Sequence, residues 1–140
     1  IRSGADVAKA IAMGADAVSI GSAAMIALNC NADMYPEDYE KLGTAAGYCH
    51  HCHTGRCPVG VATQDPELEK RLDPELAGKR VKNYLATLTL ELQTLARANG
   101  KSDVRNLEPE DLAALTVEAA AMARVPLAGT NWIPGHNNQY

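Results

Sequence analysis

Phenylalanine is absent from the 140-residue chain, tryptophan occurs once, and aromatic residues total 4%. With 46% hydrophobic residues a core can form, but Ala, Leu and Val must do most of its packing, and abundant Ala favours close approach of helices. A basic excess is also lacking. The formal net charge is −4, so the electrostatic footprint of a nucleic-acid partner is missing. No apolar run approaches the roughly 20 residues that span a bilayer, and no signal-peptide pattern stands at the N-terminus. The expectation is a chain with no nucleic-acid or membrane partner and a cytoplasmic location. An initiator Met is missing too: the chain opens on Ile1-Arg2-Ser3-Gly4, which reads as an interior start. Internal repeats and low-complexity segments are absent.

What is present divides into three stretches, 1–29, 30–66 and 67–140. In the first, residues 3–13 are predicted to be helical. Ser3 can cap the helix, with Asp6 in the position of a capping-box acid. Val7, Ala8, Ile11 and Ala12 form one apolar stripe, and Gly14 suits the C-terminus. Ala17–Ile20 reads as a short buried strand, and a second helix starts near Ala23–Leu28. Strand–loop–helix order predicts an α/β protein, either the end of a (β/α)8 barrel or part of a doubly wound sheet. Residues 31–66 are rich in Gly and Pro and read as loop, apart from a short helix at Pro36–Lys41. A loop of that length is usually functional or needs a cross-link. Beyond it, Asp73-Pro74-Glu75 starts a helix with Val81, Tyr84, Leu85, Leu88, Leu92 and Leu95 at helical spacing, ended by Gly100. Leu107-Glu108-Pro109 starts another, carrying Leu112, Leu115, Val117 and Met122. The tail from Pro126 is expected to be extended.

The chain has four cysteines, and three of them, Cys49, Cys52 and Cys57, lie on the loop. Clustering of this kind in a cytosolic setting favours metal or redox chemistry over a disulfide framework. A flexible loop lets several sulfurs converge on one centre, and Pro58 stiffens the exit after Cys57. Thiolates are the ligands of iron–sulfur clusters and equally of zinc; spacing does not separate the two. Cys30 could add a fourth sulfur. A Cys49–Cys52 dithiol lacks a thioredoxin-like context, and four inert thiols fit poorly on a polar, glycine-containing loop. His50, His51 and His53 are read as solvent-facing or hydrogen-bonded loop residues before ligands. Asp65 is expected to cap the segment that Pro66-Glu67 opens.

Two further loops carry small residues. Arg2-Ser3-Gly4 opens a helix, and Gly21-Ser22-Ala23 follows the expected strand. Backbone N–H groups at such helix starts can hold a phosphate, and Arg2 could add a charge-assisted contact. Two tight turns that need small residues explain the same pattern as well.

Ile-Arg-Ser-Gly-Ala-Asp-Val-Ala-Lys-Ala followed by Gly-Ala-Asp-Ala-Val-Ser-Ile-Gly-Ser-Ala resembles the last βα units of an FMN-binding barrel. Ala27-Leu28-Asn29-Cys30 and Cys52-His-Thr-Gly-Arg-Cys57-Pro-Val-Gly-Val-Ala-Thr-Gln-Asp65 resemble the synthase domain of the glutamate synthase family. The resemblance implies the C-terminal part of a (β/α)8 FMN-binding barrel, then a cysteine-rich cluster loop and C-terminal helices. It implies FMN and a 3Fe–4S cluster as cofactors. Ammonia from a glutamine amidotransferase domain or subunit would condense with 2-oxoglutarate, and reduced FMN would reduce the imine to glutamate. It also implies an electron-donor subunit or ferredoxin within a hetero-oligomer. Carried over residue by residue, the cluster ligands are Cys30, Cys52 and Cys57, and Arg2, Ser3, Gly21, Ser22 and Ala23, with Gly4 beside them, match the FMN phosphate loops. The Cys30 to Cys52 spacing is longer than in the large bacterial enzymes. Cys49 is an extra thiol that could convert the cluster to 4Fe–4S, replace Cys30 or stand by. The shorter archaeal-type enzymes and the flavin subunit of N-methylglutamate synthase, which uses methylamine, resemble the chain similarly. A zinc-stabilised, non-catalytic interaction module is the reading of another class.

Overall fold

The computed structural model describes residues 1–136; the last part of the expected extended tail, residues 137–140, lies outside the described residues. The chain forms two compact units, one of Ile1–Ser19 with the chain from Thr87 onward, the other of Ile20–Ala86. Both are helical, and no strand occurs among the described residues.

In the first unit, helix α1 spans Gly4–Ala12. Ser3 is extended (φ −138°, ψ 168°), and its hydroxyl accepts the Asp6 N–H at 3.4 Å. Asp6 reaches back to the Arg2 N–H at 2.9 Å, one residue before the partner a capping box would use. Val7, Ala8 and Ala12 are buried, as the stripe predicts. Gly14 ends the helix at φ 98°. Gly4 has a second reason to be glycine. A Cβ there would stand 2.5 Å from the Leu88 carbonyl oxygen and 2.6 Å from the Leu92 nitrogen, so its absence lets α1 start against backbone.

Residues 17–20 make no ladder hydrogen bonds. A strand exists only through a paired neighbour, and these residues have none. The described residues are helical, and the strand expected at Ala17–Ile20 is not formed among them.

The other correction lies after Leu107. The expected single helix is a 3-10 turn at Pro109–Asp111 followed, after an extended stretch, by a helix Val117–Ala123. Two local bonds and one longer-range bridge break the helix. The Asp111 carboxylate accepts the Glu108 N–H at 3.0 Å. Ala114 forms an isolated parallel bridge with Leu127. The Thr116 hydroxyl accepts the Ala119 N–H at 3.2 Å and starts the new helix. Leu115 and Met122 are 88% and 87% exposed, so their spacing marks no buried face. The local core is Ala114, Ala120 and Val125.

The second unit holds α2 (Ser22–Ala27), α3 (Pro36–Lys41) and α4 (Pro66–Glu69). Helix α5, Pro74–Ala98, begins in this unit and continues in the first. Pro36 at the first position, Glu37 and Asp38 in the first turn and Lys41 in the last explain α3. Asp65 caps α4 as expected, accepting the Glu67 N–H at 2.8 Å and the Leu68 N–H at 3.2 Å. The core is small: Tyr39, Cys57 and Val59, with Ala32, Tyr35, Ala46, Cys49, Val61 and Ala62 packed on it. Two of these residues are candidate ligands, so the site is part of what the unit folds around.

Candidate metal centre

All four cysteines belong to the second unit and are free thiols. Cys57 is buried, Cys30 and Cys49 are half-buried, and Cys52 is exposed. Burial pushes the Cys30 thiol up, and the charges of Cys52, Cys57 and Cys49 push it further in the same direction. The phenol of Tyr39 is raised to about 12, by burial first and then by Cys49, Cys57 and Cys30. Burial is the larger cause of both shifts, and the neighbouring thiols add to it in the same direction. Thiolates crowded together repel one another, and a bound cationic centre relieves that repulsion while favouring the deprotonated form. Among the described residues no three His, Cys, Asp or Glu side chains form a ready-made ligating group.

The loop that carries them is held at several places. Asn31, in the left-handed region at φ 63°, accepts the Cys49 N–H at 2.9 Å through its side-chain oxygen. Its backbone carbonyl accepts the Gly47 N–H at 3.2 Å. The Tyr39 hydroxyl donates to the Ala32 carbonyl at 3.1 Å. Cys52 opens a 3-10 turn, Cys52–Thr54, which ends on Gly55 at φ 73°. Thr63 donates to the Gly55 carbonyl at 2.5 Å and accepts the Asp65 N–H at 3.0 Å, tying the far side of the loop to the α4 cap. Arg71 fixes the segment after Cys57. Its guanidinium donates to the Pro58 carbonyl at 2.8 Å and to Asp38 at 2.7 Å, and it lies 4.1 Å from the Tyr35 ring centre.

Sequence reasoning misses Asn31, Tyr39 and Arg71. Asn31 left one trace: with Asn29 it flanks Cys30, and Asn tolerates positive φ; both adopt it, at 63° and 88°. Arg71 left none, because its three partners lie far from it in sequence. The histidines behave as loop residues. His50 and His51 stack at 4.6 Å, His51 and His53 at 6.2 Å, and the His50 ring contacts the Tyr48 carbonyl at 3.4 Å.

The two glycine loops differ. In the first unit, the N–H of Gly4 donates to the Glu91 carboxylate at 2.7 Å, and the Ser3 hydroxyl is occupied by Asp6. The start of α1 thus already holds the Glu91 carboxylate at the Gly4 N–H. In the second unit, Gly21 precedes α2 with no side-chain cap on the first turn, and Gly21 and Ser22 are exposed with Ala23 half-buried. A Cβ on Gly21 would meet nothing within 4 Å.

The described chain is helical, with a cysteine-bearing loop packed on the core of its second unit. A family model described as a conserved region in glutamate synthase matches residues 1–102, and the chain belongs to the glutamate synthase family. It is 64% identical over 135 residues to the glutamate synthase large subunit-like protein of Rhizobium meliloti (strain 1021), covering 96% of this chain and 30% of that protein. It is 46% identical over 107 residues to the archaeal glutamate synthase of Methanocaldococcus jannaschii, whose name carries NADPH, covering 76% of this chain and 18% of the relative. Over 94 residues it is 37% identical to the glutamate synthase large subunit-like protein YerD of Bacillus subtilis (strain 168), covering 67% of this chain and 15% of that protein. The chain thus spans less than a third of the length of these relatives. No solved structure matches. No helix among the described residues is long and apolar enough to cross a membrane.

Proposed function

We propose that the chain is the cluster-bearing part of a glutamate synthase-type oxidoreductase, with Cys30, Cys52 and Cys57 as iron–sulfur ligands and Cys49 as a fourth thiol at the same centre. The observation that carries this reading is that four free thiols lie in one compact unit, with Cys57 and Cys49 packed in its core and Asn31 contacting both Cys30 and Cys49, on a chain of this family. The donor set fits the group: it is all sulfur and partly withdrawn from water. Three ligands correspond to 3Fe–4S; recruitment of Cys49 gives 4Fe–4S. When bound, the cluster supplies one-electron transfer, and FMN supplies hydride to the imine of 2-oxoglutarate.

The chain's own residues do the holding. Cys57, Tyr39 and Val59 keep one side of the centre dry. Asn31, Thr63 and Arg71 set the path of the loop. Gly21, Ser22 and Ala23 offer the uncapped helix start to the FMN phosphate. For Arg2, Ser3 and Gly4 the same role requires phosphate to replace Glu91 at the Gly4 N–H. The reading implies the C-terminal end of a flavin barrel, ammonia delivered by a glutamine amidotransferase domain or subunit, and electrons from a donor subunit or ferredoxin within a hetero-oligomer.

The test is turnover by the full-length protein with 2-oxoglutarate, a reductant and either ammonia or methylamine. Formation of glutamate from ammonia is the expected result. Formation of N-methylglutamate from methylamine alone would move the assignment to N-methylglutamate synthase, and no flavin spectrum with no turnover would remove it.

A further inference from the structure

We infer that Asn31 is a positioning residue for the thiol centre, holding Cys49 beside Cys30 and donating an N–H to the Cys30 sulfur; this rests on the iron–sulfur reading above. The geometry fixes which way the amide points. The backbone N–H of Cys49, 2.9 Å from one end of the Asn31 amide, can meet only an oxygen. The other end is therefore NH2. That nitrogen lies 3.4 Å from the Cys49 carbonyl oxygen and 3.9 Å from Cys30 Sγ, within reach of a large, soft acceptor.

One planar group thus grips both backbone polar atoms of Cys49 and faces the sulfur of the residue before it. Asn31 sits at φ 63°, a conformation that Asn, Asp and Gly accept and most residues resist. Asn31 and Cys49 are 18 positions apart; the Gly47 N–H bond to the Asn31 carbonyl brings the two segments together, and the Asn31 side chain is the group that reaches Cys49 itself. The chemistry at the sulfur follows from charge. An N–H aimed at a thiolate ligand stabilises the reduced, more negative cluster, and hydrogen bonds to the sulfurs are among the terms that set cluster potentials. Asn31 therefore serves two purposes: its oxygen sets where Cys49 stands, and its nitrogen raises the potential of the centre.

Two variants of the full-length protein separate these roles. Asn31→Asp keeps the φ and the oxygen that meets the Cys49 N–H but loses the donor. Asn31→Gly keeps the φ and loses both. Iron and acid-labile sulfide per protein, and the midpoint potential from an EPR-monitored redox titration, are the readouts. N31D should retain the wild-type iron and sulfide while its potential moves to more negative values. N31G should lose at least half of its iron, and the clusters it retains should also titrate at more negative potential. An unchanged potential in both variants would overturn the donor role. Full iron content in N31G, or loss of the cluster in N31D, would overturn the clamp. Wild-type protein with no iron or sulfide would instead fail the iron–sulfur reading itself, which the variants do not test.

Discussion

Arg71 connects more of the thiol unit than any other single side chain described here. It lies between α4 and α5, yet it donates to Asp38 on α3 and to the Pro58 carbonyl next to Cys57, and it covers the Tyr35 ring. Lysine cannot reproduce this, because a single ammonium lacks the planar fork and the stacking face. Truncation leaves the Pro58 carbonyl and the Asp38 carboxylate without their guanidinium partner. Hydrogen bonds of a charged group to half-buried partners are worth roughly 1–3 kcal/mol. Arg71→Ala should therefore lower the unfolding free energy of the thiol unit in the full-length protein by that order, seen as a lower denaturant midpoint, and Arg71→Lys should recover less than half of the loss. Chemical unfolding followed by circular dichroism checks this; an R71A midpoint equal to wild type would show that the three contacts do not stabilise the unit. None of this was legible in the sequence, since an arginine bonded across 33 and 13 positions leaves no local pattern.

At the scale of elements, local signals were read well and longer-range ones poorly. Ser3, Pro36 and Asp65 announce α1, α3 and α4 because a cap or a fixed φ acts within one turn. The stretch after Leu107 misled because helical spacing of Leu112, Leu115 and Met122 says nothing about whether a partner covers them. A bridge between Ala114 and Leu127, 13 positions apart, decided the matter. Residues 17–20 read as a strand for the same reason: composition reports a preference, and pairing decides. Helix α3 also carries a pH signature. The Lys41 ammonium, then the Arg71 guanidinium, holds the Asp38 carboxyl below its usual 3.8. A depressed folded-state value means the stabilisation is present above the unfolded value and is lost as pH falls through the folded one. Wild type and Asp38→Asn should therefore differ in stability near neutrality, and the gap should shrink as pH falls below about 4. Thermal melts between pH 6 and pH 2 test this, and a gap that stays constant through that range would refute it.

For the whole molecule, the family was legible because it rests on contiguous residues, from the opening glycine loops to the run between Cys52 and Asp65. The cysteines could be recognised as a group, but spacing left zinc and iron–sulfur level. The structure adds that the four thiols lie in one compact unit, with Cys57 and Cys49 built into its core. It also sets the two glycine loops apart, one filled by Glu91 and one uncapped, a difference that depends on a residue 87 positions away. The central claim is that the thiol unit holds iron and sulfide. Metal and acid-labile sulfide analysis of anaerobically purified full-length protein, with EPR of the oxidised and reduced forms, tests it directly. The account predicts brown protein with iron and sulfide in near-equal amounts, and a spectrum that separates a three-iron from a four-iron centre. Stoichiometric zinc with neither iron nor sulfide would contradict it.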